Sequence, residues 1–205
     1  MLTGADLVVI SIAVSREATW RRDRAIAEAD GITHYGENGG PNALLHAARN
    51  IHTLLTVLKD VEALAPDALV VNFTNPLPRL CRAITEATSL RIVGLCHQLR
   101  FGYLVAGVAL SEELGLSIPE SYAFTWTDEA IATEVAVSHA AMERLSIRAA
   151  GLHHVTWMLD IRDRQGGESL LERAIGNLLH KVPHRHPNFE PLTLTRELAA
   201  VTGYI

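Results

Sequence analysis

Two apolar runs flanking one long amphipathic stretch constrain the fold of this 205-residue chain more than any other feature. Leu7 to Val14 is almost continuous Val, Ile and Leu, and Ala68 to Phe73 repeats the pattern. Such runs suit strands covered by helices on both faces, whereas half-wet strands alternate apolar with polar residues. Between them Leu44, Leu45, Ala48, Ile51, Leu55, Leu58 and Val61 recur at helical spacing. Pro41 sits where the first turn of that helix tolerates it, and Pro66-Asp67 ends it after Leu64. A further helix across Leu80 to Ala87 leads to a third short strand, Arg91 to Leu95. Strands alternating with helices predict a parallel α/β sheet. Ligands bind beyond the carboxyl ends of the strands in such sheets. Here those ends carry Ser11 to Ser15, Asn75-Pro76 and Cys96-His97, which are expected to line one crevice.

The rest of the chain reads differently. Residues 15–42 are polar, with three glycines near their end, and suggest part helix and part active-site loop. Past Gly102 the pattern predicts helices over Leu104 to Leu114 and Glu129 to Leu145, with Ser121 to Asp128 irregular. Ile147 to Leu159 reads as one strand with a polar insertion, and 176–205 as helices and loops. A boundary near Tyr103 divides the chain into 1–102, a cofactor-type sheet, and 103–205, a substrate-type domain.

An apolar content of 48% suffices for a real core. With 18 basic against 23 acidic residues the net charge is -5, so no broad cationic surface is expected and nucleic acid is not a partner. Cys81 and Cys96 form no CxxC and no disulfide framework, which points to a reducing cytoplasm. No apolar stretch has the length of a membrane span, and the first residues lack the order of a signal peptide.

Few residues stand out for chemistry. A thiolate from Cys96 and an imidazole from His154 are normal ligands for a borderline divalent metal. Each also has a bland reading, the cysteine as a small buried hydrophobe and the histidine as a packed ring beside Trp157. His97 and His153 adjoin them, so two dipeptides carry four donors. Asn75 could fix sugar hydroxyls or a nicotinamide ribose, or it could simply make a turn with Pro76. Gly39-Gly40-Pro41 could aim helix-start amides at an anion, yet no GxGxxG or P-loop occurs. His180, His184 and His186 lie among prolines and read as a solvated loop.

Taken jointly, GADLVVISIAV, RRDRAIAEADGITHYGENGGPNALLHAARNI, PDALVVNFTNPLPRLCRAI, RIVGLCHQL and GLHHVTWML resemble glycoside hydrolase family 4, in the family's order from Gly4 to Leu159. The resemblance implies a partial Rossmann-like sheet of the lactate and malate dehydrogenase kind, followed by part of an α+β substrate domain. It implies bound NAD and a divalent metal, usually Mn2+, with Cys96 and His154 as metal ligands. Asn75 and His97 then act in catalysis and contact the substrate, and His153 joins them in substrate binding. Ser11, Ile12 and Asn75 touch the cofactor. Cys-His at 96 and 97 looks like the branch acting on unphosphorylated α-glucosides, α-galactosides or hexuronides. Such enzymes oxidise C3 of the sugar with NAD, eliminate the C1 substituent with the metal's help and add water, an exception to the paired-carboxylate scheme.

There are departures from the family pattern. Its glycine-rich loop belongs before Gly4, so the chain reads as truncated at both ends and as a poor binder of NAD by itself. Tyr204 is not expected to be the catalytic base. Asn42, Ala43, His46, Gln98 and His153 replace commoner residues. A malate-type dehydrogenase is the competing enzyme, but it needs a His-Asp relay and a carboxylate-binding arginine rather than a metal cysteine. A catalytically inactive binding module is the reading from another class. A small carbohydrate substrate and a homo-oligomer, driven by apolar strand edges, complete the expectations.

Overall fold

The computed structural model describes residues 2–32, 39–119, 127–182 and 192–205. The chain forms two compact units, Met1–Cys96 and His97–Ile205. The first is a mixed α/β unit with strands β1 (Leu7–Ile10), β2 (Leu69–Asn72) and β3 (Arg91–Gly94) and helices α1 (Arg16–Ala29), α2 (Gly40–Leu64) and α3 (Leu77–Ala87). The strands are parallel in the order β1-β2-β3, with Ile10 opposite Asn72 and Asn72 opposite Gly94. Their carboxyl ends therefore lie in one row.

One face of this sheet is buried. Ile10 and Val70 pack with Leu54, Leu58 and Val61 of α2 and with Leu80 and Ile84 of α3. On the opposite face Leu7 and Val9 remain 54% and 58% exposed, and Leu69 and Val93 are exposed too. The expectation of helices on both faces is thus met on one face among the described residues. β1 is also shorter than the run from Leu7 to Val14. The reason lies in its hydrogen bonds: past Ile10 the backbone N–H groups of Ile12 and Val14 turn to the side chains of Thr74 and Asn50. At Gly94 an added Cβ would lie 2.7 Å from the Cys81 sulfur, so the absence of a side chain lets β3 approach α3 closely.

The second unit contains α4 (Gln98–Ala109), α5 (Ser111–Leu114), α6 (Asp128–Arg144), β4 (Leu145–Leu152), β5 (Val155–Asp163), α7 (Leu171–His180) and α8 (Thr193–Thr202). Thr127 caps α6 by accepting from the Ala130 N–H at 3.2 Å, and Asp128 with Glu129 suits the positive end of the helix. Val105, Ala106, Leu110, Leu145, Ile161, Leu178 and Ala199 share one core. The buried guanidinium of Arg196 donates to the carbonyls of Leu178 and Val182, satisfying acceptors at the end of α7, and burial lowers its pKa. Tyr103, Val105, Ala106 and Ala109 of α4 belong to this core, which starts with the unit's first helix after Cys96.

The single strand expected over Ile147 to Leu159 is instead an antiparallel hairpin. Leu152 pairs with Val155, so His153 and His154 form a two-residue turn. Apolar residues recur on both sides of the turn, Ile147 and Leu152 before it and Val155, Trp157 and Leu159 after it, so the run of apolar positions does not mark the reversal. Among the described residues no helix is long and apolar enough to cross a membrane.

Candidate functional site

In the first unit the site is built on the row of strand carboxyl ends. Ser11 and Ile12 follow β1, and Asn75 follows β2 beyond a tight local arrangement. The Asn72 side chain accepts from the Thr74 N–H at 3.1 Å and donates to the Thr74 carbonyl at 3.1 Å. Thr74 Oγ1 in turn accepts from the Ile12 N–H at 2.9 Å, tying the β1 exit to the β2 exit. The Asn75-Pro76 peptide is cis, Asn75 is half-buried and Ser11 is exposed.

Behind these segments stands a residue that sequence reasoning did not single out. Asn50 of α2 is fully buried. Its Oδ1 accepts from the Val14 N–H at 3.3 Å, and its Nδ2 donates to the Asn75 carbonyl at 2.8 Å. The same Nδ2 lies 3.0 Å from His46 Nε2, which acts as acceptor. Asn42, His46 and Asn50, all buried, lie four residues apart and so on one face of α2, a polar stripe visible in the sequence. Asn50→Leu leaves the Val14 N–H and the Asn75 carbonyl without partners, and the expected loss is about 2–4 kcal/mol of stability in denaturant unfolding. An unchanged midpoint would contradict this bracing role.

Cys96 is a half-buried free thiol just past β3. The other free thiol, Cys81, is of a different kind: burial pushes its pKa up, partly offset by the donated hydrogen bond from Asn72 Nδ2 at 3.8 Å. The expected loop at 33–38 lies outside the described residues, as do His184 and His186.

In the second unit three histidines converge. His97 precedes α4, and its carbonyl accepts from the Phe101 N–H at 2.9 Å. The ring of His97 lies 5.8 Å from that of His154, edge to face. His154 stacks on His153 at 3.9 Å with 16° between planes. The hairpin turn holds the last two rings in place. His153 adopts a φ of 53°, and its carbonyl accepts from Thr156 Oγ1 at 2.7 Å. Gly151 makes this turn possible. Its φ is 148°, and an added Cβ would stand 2.2 Å from the Val155 carbonyl oxygen. Cys96 immediately precedes His97 in the chain. Imidazole and thiol groups are donors of the kind that a borderline divalent cation takes.

Residues 1–103 match the model of a family described as family 4 glycosyl hydrolase. An alpha-glucosidase of Erwinia rhapontici is 33% identical over 170 residues, which cover 82% of this chain and 31% of that protein. The chain thus spans about a third of the length of this curated relative. Two solved structures share the fold. A Bacillus subtilis protein provisionally described as a glucosidase superposes with a TM-score of 0.77 at 19% identity, covering 100% of this chain and 44% of that one. A 6-phospho-alpha-glucosidase from gut microorganisms, in complex with NAD and Mn2+, gives 0.66 at 19% identity over 88% of this chain and 35% of that one.

Proposed function

The chain belongs to family 4 of the glycosyl hydrolases, and on that premise we propose that it serves in NAD- and divalent-metal-dependent cleavage of unphosphorylated α-glycosides. The observation that carries this reading is the family match over residues 1–103, which extends beyond Cys96-His97. When bound, NAD supplies a reversible hydride acceptor for C3 of the sugar, and a divalent ion supplies Lewis acidity at the sugar oxygens.

The residues present fit these groups. Cys96 and His154 would hold the metal, since a thiolate and an imidazole are donors of the right kind. His97 and His153 bind sugar hydroxyls, and the His97 imidazole offers a nitrogen that can take or return a proton. The Asn75 amide offers both a donor and acceptors, one side for sugar hydroxyls and the other for the nicotinamide ribose. Ser11 and Ile12 line the cofactor at the carboxyl edge of the sheet, where this class of fold binds dinucleotides. No GxGxxG occurs among the chain's 205 residues.

The sugar is an α-glucoside, α-galactoside or hexuronide, a preference supported by His97 after the metal cysteine and by the likeness to an alpha-glucosidase. A cytoplasmic location accords with two free cysteines, and a homo-oligomer with the exposed apolar face of β1 and β3.

The test is isotopic. With Mn2+ and the large excess of NAD that a poor binder requires, the protein in D2O is expected to release the sugar of 4-nitrophenyl α-D-glucopyranoside, or of its galactoside or galacturonide counterpart, with deuterium at C2. Hydrolysis without deuterium at C2, an equal rate without NAD, or no hydrolysis of any of the three would overturn the proposal.

A further inference from the structure

The second unit contains a cavity of about 250 Å³ whose wall includes the imidazole of His154. Leu99, Val105, Trp157 and Leu198 form much of its surface, and Gln98 and Thr156 are its other polar neighbours besides Thr195. Among the described residues no Asp, Glu, Lys or Arg lines it. Leu99, Val155, Leu194 and Leu198 are exposed, so the mouth is apolar as well as the interior. A space of this size admits a ring: an apolar cavity of about 150 Å³ already takes up benzene.

We propose that this cavity receives the apolar, preferably aromatic, aglycone of a glycoside; the identity of the occupant rests on the function proposed above. His154 is the shared element, serving as metal ligand on the sugar side and as part of the wall on the aglycone side. Apart from His154, no described side chain of the wall could pair with a charged leaving group, and burying a charge against leucine, valine and tryptophan is strongly unfavourable. An aryl group loses only its contact with water, and Trp157 offers it an aromatic surface. The substrates favoured are therefore aryl or long-chain alkyl glycosides over those whose leaving group is itself a charged sugar.

The experiment uses metal-free protein, 4-nitrophenol in mildly acidic buffer that keeps the phenol neutral, and methyl-resolved NMR. Saturable shifts are expected at Leu99, Val105, Met158 and Leu198, and 4-nitrophenyl α-D-glucopyranoside is expected to move the same methyl groups. Leu198→Trp fills the cavity, and Leu194→Glu places a charge at its mouth on an exposed position that tolerates change. Each is expected to weaken 4-nitrophenol at least ~10-fold, since binding here depends on apolar contact. Non-saturable shifts, shifts spread over the unit, or wild-type affinity in a folded variant would overturn the proposal. Adding Mn2+ then reports separately on the metal: paramagnetic broadening at His154 tests the proposed ligand whether or not 4-nitrophenol binds.

Discussion

Cys96→Ser is expected to lower the affinity for Mn2+ at least ~100-fold, beyond the 10- to 100-fold that losing an outer partner of a ligand typically costs. A hydroxyl at neutral pH is a poor substitute for a thiolate, because it neither ionises nor matches the softness of sulfur. His154→Ala is expected to behave likewise. Two controls make the result specific. Cys81→Ser removes a thiol whose pKa burial raises and which faces Asn72, so metal affinity is expected to stay as it was. His180→Ala removes an imidazole at the end of α7 and is expected to be silent as well. Calorimetric titration with Mn2+ and circular dichroism of each variant decide the matter. Undiminished Mn2+ binding in a folded Cys96→Ser protein would remove the metal from the proposal.

Gly151→Ala is expected to be among the most damaging single-methyl changes in the second unit. A φ of 148° is open to glycine and hardly to alanine, and the new methyl would meet the Val155 carbonyl oxygen at 2.2 Å and the Thr156 Cα at 2.5 Å. Both obstacles are backbone, so no side-chain rotation relieves them. A loss of about 3 kcal/mol or more is expected, with the turn displaced. His153 and His154 move with that turn, so Mn2+ affinity falls in the same variant. The same substitution at Gly176 has the opposite expected sign. That residue lies within α7, an added Cβ meets nothing within 4 Å, and alanine is the better helix former by about 0.5–1 kcal/mol. Equal effects at the two positions, measured by thermal or denaturant unfolding, would rule out the strained-turn explanation.

Much of the first unit was legible residue by residue. The helical spacing from Leu44 to Val61 marks α2 correctly, but its buried face is rotated from the one expected: Leu58 and Val61 are fully buried, Leu44, Leu45 and Ala48 are exposed, and Ala43, Ala47 and Leu54 are buried in their place. The three apolar runs are the three strands, and alternation with helices makes them parallel. Cys96, His97, His153 and His154 stood out because thiol and imidazole groups are scarce and chemically distinctive. Asn50 did not, because an asparagine in a helix means little until the backbone opposite it is known. Here that backbone is Val14 and Asn75, 36 and 25 residues away in the chain.

Element type, strand direction and donor chemistry were thus determined locally, because propensity, periodicity and side-chain pKa belong to short stretches of sequence. Three things needed the tertiary structure: the reversal at His153-His154, the ring of His154 lying edge to face with His97 while stacked on His153, and the side-chain ties that end β1 at Ile10. Each depends on which backbone groups meet across space, and a polar group's partner over dozens of residues is chosen by packing rather than by its neighbours in the chain.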